Sequence, residues 1–127
     1  MTQSLALLDG HKYISLITFR KNGEPKPTAV WFTVMDGNVY VFTRPDSWKV
    51  KRIKNNATVE MIPCKASGDR IGTDKLVGTA RLLAENETQA VDQSFKKKYG
   101  LMKSIFGIFD KLRGDQRVFI EITPQVG

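Results

Sequence analysis

The sequence has few of the residues that usually build metal sites, redox centres and disulfide bonds. Its 127 residues include one cysteine, Cys64, and one histidine, His11. A lone cysteine cannot form an internal disulfide or a two-thiol motif, which indicates a reducing compartment. His11 follows Gly10 at the end of a short helical segment, so a capping or surface role is favoured over metal ligation. We therefore predict neither a metal site nor a catalytic cysteine.

Long hydrophobic runs and the common catalytic motifs are missing as well. No apolar stretch reaches the roughly 18 residues of a membrane span, and the first residues lack the basic and apolar regions of a secretory signal. The sequence contains no G-x-S-x-G elbow, no Walker loop and no G-x-G-x-x-G loop. These absences argue against acyl and phosphoryl transfer. We predict a cytoplasmic protein with a single domain over residues 1–127.

Acidic residues are in the minority. The chain has 20 lysines and arginines against 13 aspartates and glutamates, and its net charge is +7. Such an excess suits an anionic small molecule or a nucleic acid. The cations concentrate in Lys49–Lys54, Lys96–Lys98 and Lys103–Arg117, and the roles of the last two segments stay open.

Apolar alternation and turn signals predict short strands in most of the chain. The Asn22-Gly23 and Asp36-Gly37 pairs are typical of tight hairpin turns. The second strand is apolar on both faces, which predicts burial on two sides. Gly78 indicates a bulge or a close backbone approach. The predicted strands are Tyr13–Phe19, Ala29–Met35, Val39–Thr43, Thr58–Ile62, Leu76–Leu83 and Arg117–Thr123.

Helices are predicted after the third and fifth strands. Ser47 is a plausible N-cap for the first, and Asn86 with Gln89 resembles a capping box for the second. The second helix carries an apolar stripe of Val91, Phe95 and Tyr99 before Gly100. A further helical stripe at Leu101–Leu112 is broad enough to need a partner surface. These elements predict a mainly β fold, a small antiparallel barrel with peripheral helices.

Hydroxyl and basic side chains meet at the predicted start of the first helix. Thr43 and Ser47 flank this point, and the cations of Lys49–Lys54 follow it. Because a helix N-terminus presents unpaired N–H groups and a positive dipole, it attracts anions. The pattern therefore predicts a phosphate site.

Three segments in this order resemble a known family. Pro27–Phe32, Lys49–Ile53 and Lys97–Gly100, with Thr43 and Ser47, are similar to the FMN-binding split barrel of pyridoxamine 5′-phosphate oxidase-like proteins. The similarity is greatest to their deazaflavin (F420)-dependent oxidoreductases. It implies a six-stranded antiparallel split barrel with peripheral helices that pairs as a homodimer, with F420 or FMN in the interface cleft. The cofactor-binding residues that it implies are Thr28, Ala29, Val30, Trp31, Thr43, Ser47, Lys49, Val50, Lys51 and Arg52.

The chain departs from the oxidases of this family at two places. Thr28 stands where the oxidases carry an arginine on the second strand, and the tail Glu121–Gly127 lacks their Arg-x-His motif. Oxidation of vitamin B6 is therefore disfavoured. Without the strand arginine, the phosphate depends more on Lys49, Lys51 and Arg52, and these cations also suit the long acidic tail of F420.

Three functions follow from these observations. The first is a homodimeric oxidoreductase in which F420 or FMN carries the hydride and the protein supplies orientation and electrostatics, without a catalytic side chain. The second is a non-enzymatic protein that carries or sequesters F420, FMN or haem. The third, ranked last, is a barrel that binds single-stranded nucleic acid. Aromatic candidates for the pocket lining, each of which core or dimer packing would also explain, are Trp31, Trp48, Phe106 and Phe109.

Overall fold

A computed structural model describes residues 5–99 and 117–125 of the chain. The helices in these ranges are α1 (Trp48–Asn55) and α2 (Gln89–Tyr99), and short 3₁₀ turns occupy Leu5–Leu8 and Glu85–Glu87. The predicted helical stripe at Leu101–Leu112 lies outside the described residues. The strands are β1 (Tyr13–Phe19), β2 (Pro25–Met35), β3 (Asn38–Thr43), β4 (Thr58–Cys64), β5 (Leu76–Leu82) and β6 (Val118–Pro124).

The six strands form one closed antiparallel barrel, as predicted. Their order around the barrel is β1-β2-β3-β6-β5-β4, and every neighbouring pair is antiparallel. Closure leaves each strand with a neighbour on both sides for at least part of its length, which satisfies the backbone hydrogen-bonding groups. The mainly β fold with two peripheral helices confirms the fold class predicted from the sequence.

Apolar side chains from all six strands fill the barrel interior. A close backbone approach at Gly78 was predicted and is confirmed, because a Cβ atom there would lie 2.7 Å from Cγ2 of Ile122 and 3.0 Å from the carbonyl oxygen of Thr123. The buried strand residues of this cluster are Ile14, Leu16, Phe32, Val39, Val41, Val59, Met61, Leu76, Ala80, Ile120 and Ile122.

Both predicted turns form, but only the second is the two-residue hairpin turn that the sequence predicts. Asp36 and Gly37 both have positive φ, 52° and 81°, which the mirror-image turn of a two-residue hairpin requires. Asn22 is different: among the described residues, Asp36 is the only non-glycine with positive φ. The Asn22 side chain instead accepts a hydrogen bond from the Glu24 amide at 3.0 Å, inside a longer loop. The Gly23 amide also donates to the Arg20 carbonyl at 2.8 Å, so the predicted turn over Arg20–Gly23 is present. Together with the Asx turn it makes a longer connection than the predicted two-residue one.

Strand β2 changes partners halfway along its length. Residues 25–31 pair with β1, whereas β3 pairs only with residues 32–35. Pro25 and Pro27 are tolerated in this first half because no strand in the described ranges pairs with one edge of it. The prediction that β2 is buried on both sides is wrong: its first half is exposed or half-buried, and Val34 is 41% exposed.

Helix α2 covers the outer face of the barrel beside β2. Val91, Phe95 and Tyr99 are buried there, which confirms the predicted apolar stripe. They form a second core with Tyr40 and Phe119. The predicted capping box of Asn86 and Gln89 is wrong, because the 3₁₀ turn at Glu85–Glu87 precedes the helix and Glu87 bonds back to the Ala84 amide instead.

In the described part of the chain no helix has the length and apolarity needed to cross a membrane.

Candidate functional site

A cleft opens where β2 leaves β3. We call it the β2 cleft. It has a volume of about 460 Å³, within the range of small-molecule sites. Because β3 pairs with β2 only from Phe32 onward, the preceding residues of β2 are separated from the end of β3, and the start of α1 closes one end of the gap. The cleft is lined by Tyr13, Thr28, Ala29, Val30, Trp31, Phe42, Thr43, Arg44 and Lys49.

The wall of the β2 cleft is aromatic and apolar. The ring of Trp31 lies 6.4 Å from that of Tyr13 and 6.3 Å from that of Phe42, measured between centroids. Behind the wall, Trp31 stacks on Tyr99 of α2 with centroids 5.1 Å apart. Such packing fixes the orientation of Trp31 and offers a flat surface to a planar ligand.

The opposite end of the cleft is cationic and lies at the start of α1. Ser47 is the N-cap, as predicted: its hydroxyl accepts a hydrogen bond from the Val50 amide at 3.4 Å. Arg44 and Lys49 line the cleft beside this cap, together with Thr43. The helix dipole and these side chains favour an anion at this end.

Lys49 is a partly desolvated cation. Burial lowers the pKa of its ammonium group from the usual 10.5, and the charge of Arg52 lowers this pKa further. Both effects destabilise the charged form of Lys49. A phosphate beside Lys49 would stabilise that charged form.

The structure brings together six of the ten residues that the resemblance implied. The β2 cleft collects Thr28, Ala29, Val30, Trp31, Thr43 and Lys49. Ser47 caps α1 at the edge of the cleft, while Val50 is 3% exposed and packs inward. Lys51 and Arg52 line a different cleft.

This second cleft, which we call the basic cleft, is lined by residues of α1, of the loop after β1 and of the start of β2. Its volume is about 430 Å³, and its lining comprises Arg20, Lys21, Lys26, Trp48, Lys51, Arg52 and Asn55. Trp48, a candidate for the pocket lining, is therefore placed here and not in the β2 cleft. Phe106 and Phe109 lie outside the described residues.

Two residues of α2 support the cleft in a way that the sequence did not suggest. The Tyr99 hydroxyl accepts a hydrogen bond from the Phe32 amide at 3.1 Å and lies 2.8 Å from the Lys12 carbonyl oxygen. The Lys98 ammonium donates to the Phe32 carbonyl at 2.8 Å, and burial lowers its pKa to about 8. These bonds occupy the peptide groups at the point where β2 changes partners. They hold Trp31, the adjacent residue, in the cleft wall.

The residues of the β2 cleft are suited to binding more than to acid–base chemistry. Among the described residues that line it, none carries an imidazole, a carboxylate or a thiol. Nor do the described ranges contain a group of three or more histidine, cysteine, aspartate or glutamate residues that could hold a metal ion.

Comparisons with known proteins agree with this architecture. The family model described as pyridoxamine 5′-phosphate oxidase matches residues 2–127. No curated protein matches the sequence.

Solved structures share the fold at low identity. An F420 reductase has a TM-score of 0.61 at 20% identity, with 94% of this chain and 91% of that chain covered. An FAD-binding protein from Mesorhizobium loti has a TM-score of 0.67 at 16% identity, with 98% and 92% covered. A haem storage protein from Vibrio cholerae has a TM-score of 0.69 at 12% identity, with 96% and 87% covered. Identities this low show a common fold and leave the ligand of this chain open.

Proposed function

Since the chain belongs to the pyridoxamine 5′-phosphate oxidase family, we propose that its β2 cleft binds a flavin or deazaflavin and that the protein is an oxidoreductase. The observation that carries the proposal is the division of the cleft into an aromatic wall and a cationic end. FMN and F420 match this arrangement, because each joins a planar tricyclic ring to a phosphate.

The apolar part of the cleft fits the ring. Ala29 and Val30 supply small side chains along β2, so a flat ligand can approach the strand backbone, while Trp31 and Phe42 flank it. Along Pro25–Val30, no strand in the described part of the chain pairs with the second edge of β2, which leaves backbone groups there for a ligand. Such groups can hydrogen-bond the polar edge of the ring.

The cationic end fits the phosphate. Lys49 would donate a charge-assisted hydrogen bond, and the hydroxyl of Thr43 and the guanidinium of Arg44 lie in the same lining. The Ser47 hydroxyl accepts from the Val50 amide and still has its own hydrogen to donate. The N-terminus of α1 adds its dipole.

The protein contributes position and electrostatics to the reaction. A bound flavin or deazaflavin supplies hydride transfer. Trp31 and Tyr13 exclude water from one side of the cleft, and Lys49 fixes the ligand at its phosphate. The substrate is then a small organic molecule that reaches the remaining open side.

The alternative is a protein that only carries the cofactor, and the absence of acid–base groups in the described lining suits this function equally. Purified protein should first be titrated with F420, FMN, FAD and haem. The cofactor that binds should then be followed by stopped-flow absorbance with a panel of hydride donors and acceptors. Reduction and reoxidation in repeated turnovers would establish the oxidoreductase, whereas tight binding without turnover would establish the carrier.

The choice between F420 and FMN rests on the cations beyond Lys49. Lys51 and Arg52 lie on the same helix and line the basic cleft. F420 carries an acidic tail beyond its phosphate that these cations could bind, whereas FMN carries a single phosphate. Replacing both with glutamine should weaken F420 binding more than FMN binding. Because exposed ion pairs contribute only about 0.2–1 kcal/mol each and are screened by salt, the difference should be modest and should shrink as ionic strength rises.

Fluorescence titrations at low and high salt measure this difference. Lys54→Gln, a charge change on the same helix outside both linings, is the matched control. If FMN binds wild-type protein at least as tightly as F420 at low salt, and the double substitution affects both equally, the deazaflavin assignment is abandoned and the flavin assignment kept.

A second expectation concerns pH. The phosphate needs the charged form of Lys49, whose pKa is lowered by burial and by Arg52. Affinity should therefore be full below this lowered pKa and should fall as pH rises through it, earlier than an ordinary lysine would allow. Titrations between about pH 7 and about pH 10 would show the decline. Lys49→Arg should remove it because arginine stays charged in this range, and identical profiles for the two proteins would exclude Lys49 from the site.

We also propose a homodimer. The sequence predicts a helical apolar stripe at Leu101–Leu112, and such a stripe would be wider than one barrel edge covers, so a single chain would leave an apolar patch in water. Light scattering at micromolar concentration should report about twice the chain mass of 14.3 kDa. A folded, soluble monomer would contradict both the dimer and an interfacial cofactor site.

A further inference from the structure

The basic cleft has its own charge and its own aromatic surface. Five of its seven lining side chains are lysine or arginine, and none is acidic. It shares no lining residue with the β2 cleft. Thr28 lines the β2 cleft, and Lys26, two residues earlier on β2, lines the basic cleft. The two clefts are therefore adjacent.

The cations of the basic cleft are only partly neutralised by the protein. Glu24 pairs with Arg20 at 3.1 Å and with Lys26 at 3.5 Å. Lys51 and Arg52 make no ion pair with any residue in the described ranges 5–99 and 117–125. Burial lowers the pKa of Arg52, and the charge of Arg20 lowers it further. Cations that converge and repel in this way are stabilised by an anion between them.

One of these cations is held in place before any ligand arrives. The Arg52 guanidinium donates through Nε to the Thr18 hydroxyl at 2.7 Å, and Thr18 is completely buried in β1. This bond orients the planar fork of the guanidinium, whose remaining N–H groups match the oxygens of a phosphate. The fixed orientation distinguishes Arg52 from a freely moving surface cation.

Trp48 adds an aromatic surface to the charge. Its side chain is 69% exposed, and no other aromatic side chain in the described part of the chain is exposed. The Lys51 ammonium lies 4.3 Å from the centroid of its ring. An exposed indole among cations suits a ligand that joins an aromatic ring to a phosphate, because the ring stacks while the cations bind the phosphate.

We propose that the basic cleft binds a nucleoside phosphate, with its base on Trp48 and its phosphates on Lys51 and Arg52. The volume of about 430 Å³ suits one nucleotide, and a single exposed ring offers one stacking position where a nucleic-acid strand would use several. The proposal does not rest on the function of the β2 cleft; if that cleft binds F420, the acidic tail and the nucleotide compete for Lys51 and Arg52.

Isothermal titration calorimetry with ADP, adenosine and pyrophosphate tests the proposal on the full chain. ADP should bind wild-type protein more tightly than either part of the molecule. Trp48→Ala should weaken ADP binding by about 5- to 150-fold, the range for losing one stacked base, and should leave pyrophosphate binding unchanged. Lys51→Gln should weaken both ADP and pyrophosphate, by a few-fold and less at high salt.

Lys54→Gln is the control for charge, since it removes a cation from α1 outside the lining of the cleft. Because Trp48, Lys51 and Lys54 are exposed, all three variants should fold, and thermal melts would confirm it. A second titration in saturating FMN separates the clefts: FMN has no tail that could enter the basic cleft, so ADP affinity should not change.

Four results would overturn the proposal. The first is an ADP affinity that is the same in wild type, Trp48→Ala and Lys51→Gln, and the second is mutual displacement of FMN and ADP. Pyrophosphate binding as tightly as ADP would reduce the site to one for simple anions. A short single-stranded oligonucleotide that binds more tightly than ADP, with several nucleotides per chain, would make it a nucleic-acid surface.

Discussion

Replacing Phe95 with alanine should lower the free energy of unfolding by about 3–5 kcal/mol, a large share of the stability of a small domain. Phe95 has no exposed surface and lies at the centre of the second core. Its ring meets Phe42 edge-on at 4.9 Å and stacks on Tyr99 at 6.0 Å, between centroids. The substitution leaves a cavity behind both rings and also removes support from the wall of the β2 cleft. Urea denaturation of the purified variant measures the loss.

Lys97→Ala is the matched control because Lys97 is exposed on the same helix. Its effect should stay within about 0.5 kcal/mol. If Phe95→Ala were as mild as this control, α2 would not pack against the barrel as described, and the support of Trp31 by α2 would have to be withdrawn.

Replacing Lys49 with alanine should weaken cofactor binding by about 1–3 kcal/mol, or roughly 5- to 150-fold in Kd, while the melting temperature of the empty protein stays nearly unchanged. The affinity falls because a charge-assisted hydrogen bond to the phosphate is lost. The melting temperature should not fall, because burial and the charge of Arg52 already disfavour the charged form of Lys49 in the protein without cofactor. Fluorescence titration with F420 or FMN and a thermal melt measure the two quantities.

Lys54→Ala removes the same charge from α1 at a position outside both clefts and should change neither quantity. Unchanged cofactor affinity in Lys49→Ala would move the phosphate site elsewhere. A collapsed empty protein would show that Lys49 has a structural role.

Local signals in the sequence were sufficient to predict most of the strands and helices of the fold. Strands β1 and β3 lie within a residue of their predicted bounds, and helix α1 begins after its predicted cap, since alternation, the Asp36-Gly37 turn and the Ser47 cap are each decided by neighbouring residues. Gly78 was recognisable for a similar reason, as a residue without a side chain inside an otherwise bulky strand. The missed Asx turn at Asn22 shows the limit of such signals, because the alternative turn uses the same residue type.

The sequence could not show which strand pairs with each half of β2, or which cleft each side chain of α1 enters. An apolar strand looks the same whether its second edge is covered or open, so residues 29–31 of β2 were predicted to be buried although they are half-buried. Helical periodicity placed Lys49, Lys51 and Arg52 on one short helix but could not tell which cleft each would enter. The bonds from Lys98 and Tyr99 to Phe32 span more than 60 residues of sequence, and no local pattern predicts them.

The most direct test of the central claim is a crystal structure of the protein grown with saturating FMN and, in parallel, with F420. We predict that the tricyclic ring lies along Thr28–Trp31 and that the phosphate lies within hydrogen-bond distance of the Lys49 ammonium. A cofactor bound elsewhere, or a structure in which saturating cofactor leaves Trp31 and Lys49 without contact, would contradict the account.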